Sequence, residues 1–386
     1  MYTLVDIFCG CGGMSWGLHK AGFRTLAGVD NNAIALKTFE HNHQDAKAYL
    51  GDITQLKAET VMYDLGIAAG SLDCLVGGPP CQGFSKNVPA AYRFLDDPRN
   101  LLFRDYLGYV DALRPKTIIM ENVAPIYKAY EGAVRQEIVN RLNEMGYKVT
   151  VKVVWAHKHG IPQKRQRCFF FATNTGVSPT FPREGFSDES SPGIFSDVKN
   201  YRSAWSAISD LPVLQHGEGK EPLPYPGKPH NEYQALLRQD SEEVYDHIAR
   251  KMKPKQFKRV SSLGAGEGMK DLPKHLQPKS GYSGAYGRLD FDSVAPTITR
   301  WVFHSGSGRF CHPKEPRLIT MREAARIQSF SDDFKFIGTY IEKAHQIGNA
   351  VPPLLMTQFA KNIKACLVYQ EEGGQPLQVE DDAVLA

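Results

Sequence analysis

The residues with most chemistry in this chain are a cysteine, a carboxylate and a pair of arginines, each beside a run of strand-forming residues. Cys81 stands in Gly77-Gly78-Pro79-Pro80-Cys81-Gln82-Gly83-Phe84-Ser85, just past the expected strand Cys74–Gly77. Paired prolines fix the backbone ahead of the thiol and Gly83 leaves room behind it, an arrangement that suits a nucleophile at a strand's carboxyl end better than a buried structural cysteine. Glu121, in Met120-Glu121-Asn122-Val123, ends the next expected strand; there it either faces the same cleft or caps a loop. In Gln163-Lys164-Arg165-Gln166-Arg167 the arginines alternate, so they share one face of an extended segment. That face fits a base or a phosphate, or is a solvated basic edge. Because the thiolate is the competent form of a cysteine nucleophile, the set reads as covalent catalysis with groups to steady developing charge.

A second constellation concerns a cofactor. Asp6-Ile7-Phe8-Cys9-Gly10-Cys11-Gly12-Gly13 joins an expected strand to an expected helix, and glycines there let the backbone approach a ligand. Alone, such a turn could take a dinucleotide, another adenosine compound or nothing. Asp30 at the end of the second strand can accept from ribose hydroxyls, and Asp52, in Gly51-Asp52-Ile53, can take an adenine amino group. Acids at successive strand ends favour an adenosine cofactor. Gln346-Ile347-Gly348-Asn349-Ala350-Val351-Pro352-Pro353 by itself reads only as a turn before a helix.

These residues need a scaffold that gathers strand ends. The pattern predicts strands at Leu4–Phe8, Arg24–Val29, Cys74–Gly77, Thr117–Glu121, Lys148–Ala156 and Cys168–Thr173. Helices are expected at Met14–Ala21, Asn32–Asn42, Asn100–Leu113 and Ala133–Gly146. Strands alternating with such helices imply an α/β fold with a doubly wound, mostly parallel sheet. From about residue 178 to 290 the chain turns rich in Pro, Gly and Ser and carries the basic stretch Arg250–Arg259, which reads as a smaller domain of irregular loops and short strands. Residues 291–370 are expected to complete the first domain (1–177), with a helix Met321–Ser329 opened by a Thr320/Glu323 capping box and a last helix from Pro353 to about Tyr369. Residues 371–386 form an acidic tail.

The 386 residues are 42% hydrophobic and 23% charged, enough for a sizeable core and against wholesale disorder. No apolar run is long enough to span a membrane and the start has no signal-peptide pattern, so a cytoplasmic protein is expected. The 7 cysteines are odd in number and include no CxxC pair, which points to a reducing compartment and to no structural metal. A net charge of +4 permits a polyanionic partner without demanding one.

In this order the blocks resemble the DNA (cytosine-5) methyltransferase family, and the resemblance spans nearly the whole chain. It rests on the Phe8–Gly13 loop, Gly51-Asp52-Ile53, Pro79-Pro80-Cys81-Gln82, Glu121-Asn122-Val123, Gln163-x-Arg165-x-Arg167, Pro296-Thr297-Ile298 and Gly348-Asn349-Ala350-Val351-Pro352-Pro353. The resemblance implies a methyltransferase (Rossmann-like) sheet with a target-recognition domain at 178–290 and double-stranded DNA between the two. It further implies S-adenosylmethionine as cofactor, held by Phe8, Gly10, Cys11, Gly12, Gly13, Asp30, Asn31, Asp52, Ile53, Gly78, Pro80 and Leu102 and closed over by Asn349 and Ala350. The family usually has Glu where Asp30 stands and often an aromatic residue where Asn31 stands.

In the implied reaction Cys81 attacks carbon 6 of a flipped cytosine, Glu121 stabilises N3 and N4, Arg165 holds O2 and fixes Cys81, and Arg167 shares the face. Gln82, Ser85, Lys86, Arg99, Lys253, Lys255, Lys258, Arg259 and Arg300 are expected on the DNA, and the stretch 85–100 is expected to close over it. Compact size suggests a monomeric bacterial or phage modification enzyme, with a cognate restriction endonuclease as a partner. A tRNA cytosine-5 methyltransferase, a catalytically silent DNA-binding scaffold and a nicotinamide-dependent oxidoreductase are the alternatives.

Overall fold

A computed structural model describes residues 1–80, 102–188 and 198–371. The first half runs β1 (Thr3–Ile7), α1 (Gly13–Lys20), β2 (Arg24–Asp30), α2 (Ala33–Asn42), β3 (Lys47–Leu50), α3 (Ala58–Leu65), β4 (Cys74–Gly77), α4 (Leu102–Leu113), β5 (Thr117–Val123), α5 (Ala133–Glu144), β6 (Lys148–Trp155), β7 (Gln163–Lys164) and β8 (Gln166–Thr173). The central sheet has seven strands in the order β3-β2-β1-β4-β5-β8-β6. All neighbours from β3 to β5 pair in parallel, and β8 is antiparallel to both β5 and β6. The chain reverses its direction of growth between β1 and β4, so the ends of these two strands border a topological switch point, where open α/β sheets place ligands.

Burial follows the two-residue period of the strands. Leu4, Val76, Ile119, Phe169 and Phe171 face one core, shared with Leu18 of α1. Val5, Leu75, Ile118, Met120 and Phe170 face the other, with Tyr106 of α4 and Ile138 of α5. Runs such as Cys168–Ala172 are therefore buried on both sides, which is why they are apolar without alternation. The sequence did not announce β3 or α3. The strand is four residues at the sheet edge with no fully buried side chain, so its apolar pattern is faint.

The later elements are α6 (Ala204–Ile208), α7 (Glu232–Arg238), α8 (Pro254–Ser261), α9 (Met321–Ile327), α10 (Tyr340–Asn349) and α11 (Pro353–Glu371). The Thr320/Glu323 capping box forms as expected, and α11 packs on α1. There Gly17 lies so close to Pro353 that a Cβ on it would stand 2.1 Å from the Pro353 carbonyl oxygen. Two expectations need correction. Among the described residues the stretch 178–290 holds three α-helices, and the second half of the basic segment lies in one of them, α8. Nor does packing break at 290. Arg326 of α9 bonds Asp332 at 2.5 Å, the Ala207 carbonyl at 3.1 Å and Asp210, and Arg322 pairs with Asp246 at 3.3 Å. The segment beyond 290 thus packs first against 204–250, held by long-range ion pairs that leave no periodic trace in sequence.

Truncating Arg326 would take the nearest cation from two buried carboxylates, leaving Asp210 with Arg238 at 3.0 Å and Asp332 with Arg322 at 3.7 Å, and breaking a buried pair costs about 3–5 kcal/mol. Arg326→Met should lower the urea midpoint sharply, and adding Asp332→Asn should recover part of the loss; a midpoint unchanged in the single variant would contradict this. Asp6 of β1 offers a second test. Its Oδ2 accepts from the Ser15 N–H at 3.2 Å, its Oδ1 is buried without a partner, and burial pushes its pKa up to about 7. A carboxyl raised in the folded state contributes stability fully below its unfolded value and loses it as pH rises through the folded one. The protein should therefore lose on the order of 4 kcal/mol between about pH 4 and 7 from this group. Asp6→Asn, whose amide oxygen still accepts from Ser15, should lack that slope; parallel stability–pH curves for the two proteins would refute the assignment.

Candidate active site

The loop after β1 alternates left-handed residues: Phe8, Gly10 and Gly12 have φ of 62°, 55° and 92°. Phe8 bears this strain as a non-glycine residue. Gly10 has nothing within 4 Å of where a Cβ would stand, so the loop presents bare backbone to open space. Asp30, at the end of β2, holds the loop: its Oδ2 accepts from the Gly10 N–H at 2.7 Å and its Oδ1 from the Asn32 N–H at 2.8 Å. Burial raises its pKa while these N–H donors oppose the shift. Asn31 is exposed beside it. Asp52, after β3, accepts from the backbone and hydroxyl of Thr54, bonds that hold its pKa below the usual range. Ile53 is buried, and Phe8 and Leu102 pack against the same core.

The turn after β4 is confined on both sides. A Cβ on Gly77 would stand 2.3 Å from the Ile7 carbonyl oxygen, and one on Gly78 would stand 3.3 Å from Oε2 of Glu121. Asn122 donates to the Pro79 carbonyl at 3.0 Å. The Glu-Asn pair at the end of β5 therefore has two tasks. Asn122 fixes the turn, and Glu121 lies against it, paired with Arg167 at 2.8 Å. Pro80 is exposed at the turn's edge. Cys81, Gln82, Ser85, Lys86 and Arg99, and with them the stretch expected to close over DNA, lie outside the described residues.

The two arginines do different work. Arg167 is partly open beside Glu121. Arg165 is buried, and its guanidinium donates to the carbonyls of Ile298 and Gly348, both at 3.1 Å, and of Asn349 at 3.5 Å. Burial lowers its pKa, and the like charge of Arg167 adds to the effect while Glu121 opposes it. The expectation that Arg165 itself grips a base does not fit a guanidinium so occupied.

Gln163 extends the clasp. Its Oε1 accepts from the Ile298 N–H at 2.8 Å and its amide donates to Gln328 at 2.6 Å; Gln328 in turn donates to the carbonyls of Ile347 and Ala350. Thr297 bonds the Lys164 carbonyl at 2.7 Å. Gly348 is required because a Cβ there would lie 2.1 Å from the Arg300 nitrogen. A Cβ on Gly13 would lie 2.6 Å from the Val351 carbonyl oxygen and 3.2 Å from Cβ of Ala350, so Asn349–Val351 abuts the glycine loop. The structure thus brings the cofactor-side segments together at the strand ends. Sequence reading missed Asn122, Gln163 and Gln328 as positioning residues, although the first two stand inside the motifs it used.

Of the expected DNA contacts, Lys253, Lys255, Lys258 and Arg300 are exposed. Arg259 is not: it is buried, donating to the Leu276 carbonyl at 2.7 Å and to the Tyr286 hydroxyl at 2.8 Å. It ties α8 to the segment around Leu276 and Tyr286 and is not free for phosphate. Among the described residues no group of acidic, His and Cys side chains could hold a metal ion, and no helix is long and apolar enough to cross a membrane.

A family model described as C-5 cytosine-specific DNA methylase matches residues 2–365. The Type II methyltransferase M.AgeI of Thalassovita gelatinovora is 33% identical over 429 residues, covering 94% of this chain and 99% of the relative. The Type II methyltransferase M.DdeI of Desulfomicrobium norvegicum is 34% identical over 383 residues, covering 94% and 88%. A solved structure described as a DNA modification methyltransferase encoded within an E. coli prophage has a TM-score of 0.76 at 24% identity, over 95% of this chain and all of that one, a likeness in fold. The chain belongs to the C-5 cytosine-specific DNA methylase family.

Proposed function

We propose that this DNA (cytosine-5) methyltransferase works by a covalent route on a cytosine turned out of duplex DNA, with Cys81 as nucleophile and S-adenosylmethionine as methyl donor. The observation that carries the reading is the meeting of Glu121, Arg167 and the Gly78–Pro80 turn where β4 and β5 end and β8 begins. Carbon 5 of cytosine is a weak nucleophile. When the Cys81 thiolate bonds to carbon 6, the ring loses aromaticity, the electrons of the 5,6 bond become available at carbon 5, and negative charge spreads towards N3. Glu121, in its protonated form, donates at N3 and accepts from the amino group at carbon 4, which also tells cytosine from thymine. Arg167 reaches O2. After methylation, loss of the carbon 5 proton expels the thiolate and restores the ring.

The cofactor residues fit an adenosine compound: Gly10 opens onto free space, and acids stand at the ends of β2 and β3. Cys11, Gly12 and Gly13 continue the loop. When bound, S-adenosylmethionine supplies an electrophilic methyl on a sulfonium. Asp30 would use its remaining lone pairs for the ribose and Asp52 would take the adenine amino group. Phe8, Ile53, Pro80 and Leu102 would flank the ring, and Asn349 and Ala350 would close the pocket. The target carbon cannot be reached inside a duplex, hence the extrusion. The names of the bacterial relatives support a place in a restriction-modification pair, with an endonuclease reading the same site in the bacterial cytoplasm.

Labelled methyl should pass from S-adenosylmethionine to unmodified duplex DNA as 5-methylcytosine, and Cys81→Ser should abolish it. Transfer to tRNA instead would move the substrate to RNA. On a duplex carrying 5-fluorocytosine the last proton loss is blocked, so protein and DNA should stay joined through denaturation; turnover of that duplex without an adduct would rule out the covalent route. Glu121→Gln and Arg167→Gln should each lower kcat by about 10²–10³ with a smaller change in the KM for DNA. An effect confined to KM would make them binding residues only.

A further inference from the structure

Trp301 is 46% exposed, while Trp16, Trp155 and Trp205 are buried or half-buried. It is not on a loose strand. Val302 beside it is fully buried, its own carbonyl accepts from the His304 N–H at 2.9 Å and the Ser307 hydroxyl at 2.7 Å, and Arg300 before it is pressed against Gly348. Three residues upstream, the Ile298 carbonyl is clasped by Arg165, so the indole stands no more than about 11 Å of extended backbone from the active-site clasp. A large ring held rigidly in water is a prepared contact surface.

The surroundings say what it would meet. The Arg300 guanidinium lies 5.0 Å from the indole centroid, Phe303 packs on its flank at 5.6 Å, and Arg250 bonds the Phe303 carbonyl at 3.2 Å. Arg250 and Lys251 line two adjoining clefts of about 590 and 360 Å³, the second also lined by Lys253 and Phe303. No carboxylate pairs with Arg250, Lys251, Lys253 or Arg300 among the described residues. The acids nearby are engaged in local turns, Glu342 by the Thr339 N–H and Glu218 by the Gln215 N–H. An exposed aromatic plane interleaved with unpaired cations is the chemistry that holds a polynucleotide strand with unstacked bases.

We propose that Trp301 is a stacking platform for a DNA base left unpaired when the target cytosine is turned out, with Arg300, Lys251 and Lys253 on the adjoining phosphates. This rests on the base-extrusion reading above. Extrusion leaves the opposite base without a partner, and an indole beside a guanidinium offers it a stacking face and a hydrogen-bond donor.

The test is equilibrium binding of the full-length protein to a duplex carrying its methylation sites, read by intrinsic tryptophan fluorescence and by gel shift, for the unaltered chain, Trp301→Ala and Trp301→Phe. Stacking predicts quenching in the unaltered protein that both variants lose. It also predicts affinity lowered about 5- to 100-fold in Trp301→Ala and kept within about threefold in Trp301→Phe. Equal affinity of the alanine variant, with its melting temperature unchanged, would overturn this proposal and leave the reaction intact. If the unaltered protein bound no DNA at all, the reading beneath it would fall as well.

Discussion

A charge buried without a countercharge organises this molecule. Among the described residues four arginines have side chains almost wholly out of water: Arg165, Arg317, Arg322 and Arg326. The last three meet carboxylates. Arg165 meets backbone carbonyls, from Ile298 on one side and from Gly348 and Asn349 on the other. Carbonyl dipoles compensate a desolvated guanidinium less completely than a carboxylate would, so the arrangement persists only where the fold enforces it. Here it ties together three segments that are far apart in sequence. The link between β7 and β8 carries the arginine, another segment leads to Trp301, and the end of α10 turns towards the glycine loop.

The close approaches of backbone explain why glycine recurs at those junctions. Gly13, Gly17 and Gly348 each stand where a Cβ would press into the main chain of another segment. The last helix can return to α1, and Asn349 can reach the switch point, only because these positions have no side chain. The pocket proposed for the cofactor is therefore assembled from both ends of the chain. Its floor is set by parallel strands and its lid by a contact across more than three hundred residues, from Gly13 to Val351.

What sequence discloses here is what obeys local rules. Period-two burial and helix caps placed most of the sheet, and the proline pair located the turn before Cys81 at the right strand end. Chemistry that depends on which neighbour a side chain finds was less legible. Alternation put Arg165 and Arg167 on one face, yet one is sealed by carbonyls and the other salt-bridged at the opening. Arg259 and the exposed Lys258 are adjacent in a basic run, but helical geometry turns the first inward onto Tyr286. The boundary drawn at 290 followed composition, whereas packing follows the Arg326–Asp210 ion pair, which joins positions more than a hundred residues apart.

The same logic bears on Glu121. One oxygen of its carboxylate is engaged by Arg167 in the described arrangement, yet the proposed chemistry asks it to bond the base. A cytosine entering the site would bring its own O2 to Arg167 and draw the guanidinium off the carboxylate. Glu121 would then have its countercharge engaged elsewhere and its oxygens open to N3 and the amino group of the base. On this argument the ion pair is the resting form of the proposed pair, and it occupies both groups until a base with the right edge displaces one from the other.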